Sequence, residues 1–471
     1  MVCLYTNHLI SVYGLFISQL MSCLSMRQNT LLLGYWFDDK KPYMNNFIYQ
    51  FREELQSIAE GVQVHLPDNH QIIVRGVVLM GVCDQPAKSD CFNFMLYNAD
   101  FGCTSCLSRG QSLRTDAGGH VHVYPNEPQI QLRTSLQTVA KGNLATPDQP
   151  IMGVKGNSAL FLIMPDFIRG TAIDRMHCCD GGVIKKILRL LFDSNYSDNA
   201  FSLRAVIDQI DDRLIGIKPP KFVHRLPRTI TDLKHWKASE LKIFCFYYAI
   251  PIFEGIMRLD YFQHLLKLII GLHILSCDVI TYGMIEVARD LLNCFVREFE
   301  QLYGLRYCSI NIHLLEHLPD SVKNLGPLWA HTCYESEDLN GQILKLFHGT
   351  WHIDTQLARS QSKFLTMTRL IDQSRNDKVR NFCSEKKLQV KIVDQISDHC
   401  YTVGNYKNLS VDELPLIVMH ALHQSRLLID NISVKQYFRL MKHKKQYVSD
   451  MYKDNLQTLS SVVQYSENNQ L

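Results

Sequence analysis

Ile72-Ile-Val-Arg-Gly-Val-Val-Leu-Met-Gly-Val82, followed by Cys83 and the acid Asp84, is the stretch that decides the fold. The run is β-branched and mostly apolar, and Gly76 interrupts it, which is typical of a buried pair of strands. A carboxylate at the end of a buried strand is held firmly while the next loop leaves it accessible, so Asp84 is a candidate catalytic acid. Taken alone, Asp84-Gln-Pro86 is more often an ordinary strand-ending turn.

Composition describes an ordinary globular protein of 471 residues with 46% hydrophobic and 20% charged residues. This length allows two or three domains. The formal net charge of +3 is not that of a strongly basic nucleic-acid binder, so any basic surface must be local. The 15 cysteines are odd in number and irregularly spaced, which indicates a reducing cytosolic or nuclear setting rather than a disulfide framework.

The apolar N-terminal segment from Leu9 to Leu24 has some character of a signal-peptide core. It lacks a basic stretch before it and a small-residue cleavage site after it. It is also shorter than the roughly 20 residues that a membrane span needs. We expect a buried strand or helix here, and no secretion signal or membrane anchor.

Periodicity divides the chain into five regions. A divergent apolar N-terminus precedes the first part of a core, which carries strands and an amphipathic helix at 44–60. A block of helices with apolar stripes interrupts this core, the core then ends, and a small β-containing tail follows. The predicted regions are 1–25, 26–175, 176–304, 305–375 and 376–471. Cys308-Ser-Ile-Asn-Ile-His313 is predicted to return to strand and loop structure.

Two cysteines and two histidines have the spacings of a metal site. Cys103 and Cys106 form a Cys-x-x-Cys pair, and His313 and His317 lie four apart, which places both imidazoles on one helix face. Together they make a complete tetrahedral Cys₂His₂ set for a structural Zn²⁺. Ordinary buried thiols and partly buried interface histidines are the alternative. If zinc binds, it joins the early β-region to the segment after the helical block.

A second group of acids follows the histidine pair. Glu335-Ser-Glu337 opens a predicted helix, where the helix dipole alone favours acids. With the metal site holding this segment near Asp84, one of these carboxylates would face Asp84 across a shared metal site.

Ordered sequence blocks over about 26–352 resemble the CACTA (En/Spm-type) DNA transposases, especially the animal versions. These blocks are Leu33-Gly-Tyr-Trp-Phe-Asp-Asp-Lys-Lys-Pro-Tyr-Met44, Asp84-Gln-Pro-Ala-Lys88, Phe101-Gly-Cys-Thr-Ser-Cys106, Gly170-Thr-Ala-Ile-Asp-Arg-Met-His177, Trp236-Lys-Ala-Ser-Glu-Leu241, Asn311-Ile-His-Leu-Leu-Glu-His-Leu318, Gly326-Pro-Leu-Trp329 and Glu337-Asp-Leu-Asn-Gly341.

The resemblance implies an α+β or α/β fold, with a zinc-clamped ribonuclease H-like core interrupted by a helical insertion. Asp84 matches the second catalytic Asp and Glu337 the catalytic Glu, while the Cys₂His₂ residues match the zinc ligands, which resemble those of the V(D)J recombinase catalytic subunit. Glu335 has no counterpart. Asp174 and His177 match a family block and receive no firm role, although a structural hydrogen-bonded pair is favoured.

The chemistry implied is phosphodiester hydrolysis and strand transfer, with three acids holding two Mg²⁺ ions. The partner implied is transposon-end DNA in the nucleus, bound mainly through phosphates, with a homo-oligomer left open. Candidate DNA contacts are Lys185, Lys186, Arg189, the 225–242 segment, Lys442, Lys444 and Lys445. A solvated helix face explains these cations equally well.

One departure from the family's sequence pattern bears on the expected DNA cleavage. The first catalytic Asp lies upstream of the Trp36 block, and nothing here matches it, because the first 25 residues contain no acid. Asp38 and Asp39 belong to a different block. Two acids cannot hold both metal ions. The sequence therefore predicts an incomplete or inactive transposase-like protein. The alternative is a domesticated, non-catalytic module that binds DNA or other proteins.

Overall fold

The computed structural model describes residues 2–7, 10–18, 30–38, 40–66, 70–115, 117–219, 223, 225–346, 351–374, 376–379, 392–397, 400–403, 406–410, 413–414, 419, 434–437, 439–442 and 445–448. The chain forms two compact units. The first comprises 1–214 and 229–357, and the second comprises 215–228 and 358–471.

The first unit contains several small sheets. An antiparallel meander has the order β1-β2-β3, β4 pairs with β5 and β7 with β8 as antiparallel ribbons, and β6 pairs with β9 in parallel. Strand β1 also lies against β6. The bounds are β1 (Val2–Asn7), β2 (Ile10–Ser18), β3 (Thr30–Asp38), β4 (Val62–His65), β5 (Gln71–Val74), β6 (Gly81–Cys83), β7 (Gln111–Arg114), β8 (His120–Val123) and β9 (Thr171–Ile173).

Helices make up most of the rest of this unit. They are α1 (Met44–Tyr49), α2 (Arg52–Glu60), α3 (Gln85–Phe92), α4 (Ser135–Gly142), α5 (Phe167–Gly170), α6 (Lys185–Phe192), α7 (Ile207–Gly216), α8 (Ala238–Ile243), α9 (Ala249–Phe253), α10 (Leu259–Ile274), α11 (Tyr282–Tyr303), α12 (Ile310–Leu314), α13 (Leu318–Leu325), α14 (Tyr334–Ile343) and α15 (Ile353–Gln373). Both α7 and α15 extend into the residues of the second unit. Two π-helical segments, Met176–Ile184 and Phe244–Tyr248, lead directly into α6 and α9.

The longest helix pair, α10 and α11, shows why the helical block was readable from sequence. Thr281 caps α11 by accepting a hydrogen bond from the Met284 N–H, and Gly304, at φ 97°, ends the helix. Its buried residues recur at helical spacing, from Ile285 to Tyr303, and α10 packs along them.

A small core cluster joins the parallel strands to the segment that precedes α14. Val82 of β6, Ala172 of β9, Met176 and Cys333 are buried together, and Tyr334 packs against them. The end of β6 and the start of α14 therefore share one core, although about 250 residues separate them in sequence.

The second unit contains β-structure. Strands β10 (Ile392–Ser397), β11 (Cys400–Val403), β14 (Arg439–Lys442) and β15 (Lys445–Val448) form an antiparallel sheet in the order 10-11-14-15. Strands β12 (Tyr406–Leu409) and β13 (Val434–Tyr437) form a separate ribbon. The chain is thus a mixture of helices and small sheets, as expected. No helix among the described residues has the length and hydropathy to cross a membrane.

Three local predictions were wrong. The run Ile72–Val82 is not a buried strand pair: β5 lies in an exposed ribbon, Ile73 being 69% exposed, and only Gly81–Cys83 is a buried strand. The helix at 44–60 is two helices, interrupted at Gln50 and Phe51. Most of Cys308–His313 is helical, because this segment begins α12 at Ile310.

Candidate metal centre

The four predicted metal ligands lie together in the fold. The donor atoms of Cys103, Cys106, His313 and His317 are within 4.8 Å of one another, and all four residues are buried. His313 Nε2 is 3.2 Å from Cys106 Sγ and 3.2 Å from His317 Nε2. The structure therefore confirms that this group could hold a metal ion, with two sulfur and two nitrogen donors.

The Cys-x-x-Cys loop is held by a buried arginine. Arg133 Nε donates hydrogen bonds to the Cys103 carbonyl at 3.0 Å and to the Cys106 carbonyl at 2.8 Å. Its Nη2 donates to two further carbonyl oxygens, at Phe101 and Met152. A guanidinium in this position fixes the curvature of the loop and directs both thiols to the same side.

Gly102 lets the same loop pass close to another backbone segment. A Cβ atom at this position would lie 2.3 Å from the Leu96 carbonyl oxygen, so a side chain would force the loop outward. Sequence reasoning found the two cysteines, but it missed Gly102 and Arg133, whose importance depends on contacts that are distant in sequence.

The histidines come from α12 and the 3₁₀ turn that follows it, Leu315–His317. His313 Nδ1 lies 3.2 Å from Glu316 Oε2, and the ring of Tyr124 stacks on the imidazole at 5.1 Å. Asn126 Nδ2 donates to the other oxygen of Glu316 at 3.3 Å. A carboxylate behind a metal-ligating imidazole is the usual arrangement, because it orients the ring. The residues present thus fit a closed four-ligand site.

The two thiols titrate as a coupled pair. Burial opposes ionisation of Cys103, but a hydrogen bond with Cys106 and the nearby His313 outweigh it and bring the Cys103 pKa well below its usual range. The hydrogen bond with Cys103, together with burial, raises the pKa of Cys106. The site therefore favours one thiolate even before the charge of a cation is added.

Asp84 stands where β6 ends. Its side chain caps α3, because Oδ1 accepts a hydrogen bond from the Ala87 N–H at 2.8 Å, and the residue is half-buried. Cys83 pairs in register with Ile173, so Asp84 and Asp174 follow equivalent positions of two neighbouring parallel strands. The alternative predicted for Asp84 was a strand-ending turn, and the structure shows an N-cap role that sequence reasoning did not name.

Glu337 contacts a histidine in the structure. His177 Nε2 lies 3.2 Å from Glu337 Oε1, and His177 Nδ1 lies 2.6 Å from Asp174 Oδ2. Burial opposes protonation of His177, but hydrogen bonds to Asp174 and Glu337 outweigh it and raise its pKa to about 10. His177 is thus held between two acids in hydrogen-bonded contact.

Among the described residues, two groups of three or more side chains could hold a metal ion, and neither includes Asp84 or Glu337. The first is the Cys₂His₂ group, and the second is Asp174, His177 and Cys333. Sequence reasoning singled out Asp174 and His177 through their block but missed Cys333, for which no local pattern exists.

Some of the candidate basic residues line a common cleft of about 660 Å³ in the first unit. Its cations are Lys185, Arg189, Arg204 and Lys234, and Asp193 is a lining carboxylate. Lys186 is half-buried outside this lining, and burial lowers its pKa. The backbone of Lys442 in β14 pairs in register with that of Lys445 in β15, and Lys444 lies outside the described residues.

Neither a family model nor a curated protein matches this chain in sequence comparison.

Proposed function

We propose that this chain is a transposase-like, DNA-binding protein with a zinc-stabilised, ribonuclease H-like core that does not cut DNA with the acids present here. The observation that carries the proposal is the Cys₂His₂ group. Cys106 and His313 are 207 positions apart, yet their side chains meet, as the resemblance to CACTA transposases requires. Two chance pairs of this composition would have no reason to converge.

The strand arrangement supports the ribonuclease H-like part of the proposal. The resemblance implies a ribonuclease H-like core that carries catalytic acids. Here β1–β3 form a meander, β1 lies against β6, and β6 pairs in parallel with β9. Asp84 follows β6, and α14, which carries Glu337, contacts β1.

Zn²⁺ in the Cys₂His₂ group would be structural, because four protein donors leave no open position for substrate. Cys103 and Cys106 would bind as thiolates, and His313 and His317 through neutral imidazole nitrogens. Zinc would connect the loop after α3 to α12, so its binding free energy would add to the stability of the first unit.

DNA would bind through its phosphates in the basic cleft defined above. Four cations surround this cleft, and Lys185 and Arg189 lie one helical turn apart on α6. Such a surface provides affinity without sequence information, and its binding weakens steeply with salt. Because transposon-end DNA is the partner that the resemblance implies, the proposal includes a nuclear location.

Cleavage is not expected from this chain. Two of the family's three acids have counterparts, Asp84 and Glu337, and neither belongs to a group of three potential ligands among the described residues. Holding two Mg²⁺ ions for in-line displacement requires such a group. The proposed activity is therefore DNA binding without cleavage. If the chain does not bind DNA, the alternative function is binding to other proteins.

The test of DNA binding is fluorescence anisotropy of a labelled duplex, with the full chain, over a range of salt concentrations. We expect log Kd to rise linearly with log salt. Lys185→Gln with Arg189→Gln should reduce that slope by about 2, because each neutralised phosphate contact contributes about 1. Arg297→Gln, an exposed arginine of α11 outside the cleft, is the matched control. Salt-independent binding, or equal effects of the two variants, would contradict the cleft assignment.

Two further measurements test the core. Purified protein should carry zinc, and His313→Ala with His317→Ala should lose the equivalent bound by the Cys₂His₂ group, whereas the exposed His235→Ala should not. Unchanged zinc content in the double variant would refute the site. Supercoiled plasmid with Mg²⁺ should remain intact. Nicking that disappears in Asp84→Asn would overturn the proposal that this chain does not cleave.

A further inference from the structure

Asp174, His177 and Cys333 come from three different parts of the chain and meet beside α14. Asp174 follows β9, His177 lies in the π-helical segment, and Cys333 immediately precedes α14. Their potential ligand atoms lie within 4.8 Å of one another. We propose that these three residues form a second metal site, separate from the Cys₂His₂ group, for a zinc-class divalent transition-metal ion.

The donor set decides which class of ion fits. One carboxylate oxygen, one imidazole nitrogen and one thiolate sulfur suit Zn²⁺ or Co²⁺, whereas Mg²⁺ and Ca²⁺ prefer oxygen donors throughout. Three protein ligands leave a fourth tetrahedral position for water. Asp174 and Cys333 are buried, but the His177 side chain is 41% exposed, so an ion can enter from its side.

The hydrogen bond between Asp174 and His177 marks the place of the ion. Asp174 Oδ2 and His177 Nδ1 are 2.6 Å apart, with a proton between them. A tetrahedral ion with metal–ligand bonds of about 2.0–2.2 Å holds an oxygen and a nitrogen roughly 3.3 Å apart. Replacement of the proton by the ion therefore needs a shift of less than about 1 Å, which the partly exposed imidazole can make.

The surroundings of the three residues resemble those of bound metal ligands. Asp174 accepts hydrogen bonds from the backbone N–H groups of His177 and Cys333, at 2.9 and 2.8 Å, so its carboxylate is held in place. His177 presents its other nitrogen to Glu337 Oε1 at 3.2 Å. A ligating imidazole commonly donates its second N–H to a carboxylate in this way, which sets its tautomer and strengthens its donor nitrogen.

The Cys₂His₂ group and the proposed site differ in the number of thiolate ligands, so a spectroscopic signal from thiolates can distinguish them. The Cys₂His₂ group supplies two thiolates, and the proposed site supplies one. Cobalt(II) reports each thiolate ligand through a sulfur-to-metal charge-transfer absorption in the near ultraviolet. The proposal does not depend on DNA binding, and its readout is unaffected by whether the chain binds DNA.

The experiment is a Co²⁺ titration of the full chain, stripped of metal, given one equivalent of Zn²⁺ for the Cys₂His₂ group and kept in mild reductant. We expect a further equivalent of Co²⁺ to bind with new charge-transfer and visible absorption. Cys333→Ser should abolish the charge-transfer band of this equivalent, and Glu337→Gln should weaken its binding about 10-fold. Cys245→Ser changes a buried thiol outside both groups and is the matched control.

Variant folding has its own check. Far-ultraviolet circular dichroism and retained zinc show whether Cys333→Ser folds. If it does not fold, His177→Ala is the second variant, because the His177 side chain is partly exposed. Loss of the second equivalent in His177→Ala supports the proposal. The proposal is overturned if the unaltered chain binds no further equivalent of Co²⁺. It is also overturned if both variants bind that Co²⁺ as the unaltered chain does.

Discussion

Arg133→Met is the most informative single substitution at the Cys₂His₂ group. Arg133 is 3% exposed, and its guanidinium donates to the carbonyl oxygens of Cys103, Cys106, Phe101 and Met152 at distances between 2.8 and 3.0 Å. Methionine fills much of the space of the arginine stem but donates no hydrogen bond. The buried carbonyl groups of Cys103 and Cys106 and the partly buried ones of Phe101 and Met152 would lose this donor at once.

The expected cost follows from those four acceptors. An unsatisfied buried acceptor costs about 1–3 kcal/mol, but these losses do not add fully, because the loop relaxes and admits water. We therefore expect about 3–5 kcal/mol of destabilisation, as for removal of one partner from a buried charged network. Misdirected thiolates should also lower zinc affinity by roughly 10- to 100-fold, as changes behind metal ligands do.

The assay combines thermal unfolding of the zinc-loaded chain with competition against a zinc chelator. The matched control is Arg109→Met on the same loop, where the arginine side chain is 68% exposed and pairs with Asp100 at 2.7 Å. An exposed ion pair of this kind contributes at most about 1 kcal/mol. If Arg133→Met and Arg109→Met have equal effects on unfolding and on zinc affinity, the role assigned to Arg133 is refuted.

Three further predictions concern buried groups. Burial, opposed by Arg175 and Tyr334, raises the pKa of Asp180 to about 6, so the folded chain retains the proton that the unfolded chain loses near pH 4. The free energy of unfolding should therefore decrease as the pH rises from about 4 to 6. Asp180→Asn should remove this decrease from the profile of melting temperature against pH. Burial lowers the pKa of His264 to about 4, so its contribution is lost as pH falls from about 6.5 to 4; His264→Phe should flatten that part of the profile, and an unchanged slope would contradict the assignment. Gly102→Ala should reduce zinc affinity because its Cβ would clash with backbone, whereas Gly216→Ala, with no atom within 4 Å, should not.

Much of the helical structure could be predicted because its signal is local. The apolar stripe of α11 and the capping residue Thr281 lie within one element, so their pattern can be read without knowledge of neighbouring segments. The sequence-based prediction of a buried strand pair failed because a strand is buried only if another part of the chain packs over it. Ile72, Ile73 and Val74 have the composition of a buried strand, but among the described strands β5 pairs with β4 alone, and its residues are exposed.

The sequence alone determined the ligand types and local spacings of the Cys₂His₂ group. Zinc chemistry requires four donors, and each pair supplies only two, so Cys103 and Cys106 could be joined to His313 and His317 across the helical block. The resemblance to transposases rested on eight ordered sequence blocks, two of which contain these four residues.

Only the tertiary structure decided the contacts that no spacing encodes. Cys333 lies beside Asp174 and His177 because Val82 and Ala172 bury their side chains against the segment before α14. Arg133 reaches the Cys-x-x-Cys loop for a similar reason, through packing between segments about 30 residues apart. Periodicity records which face of an element is apolar, but the partner of that face is set by the lowest free energy of the whole packed chain.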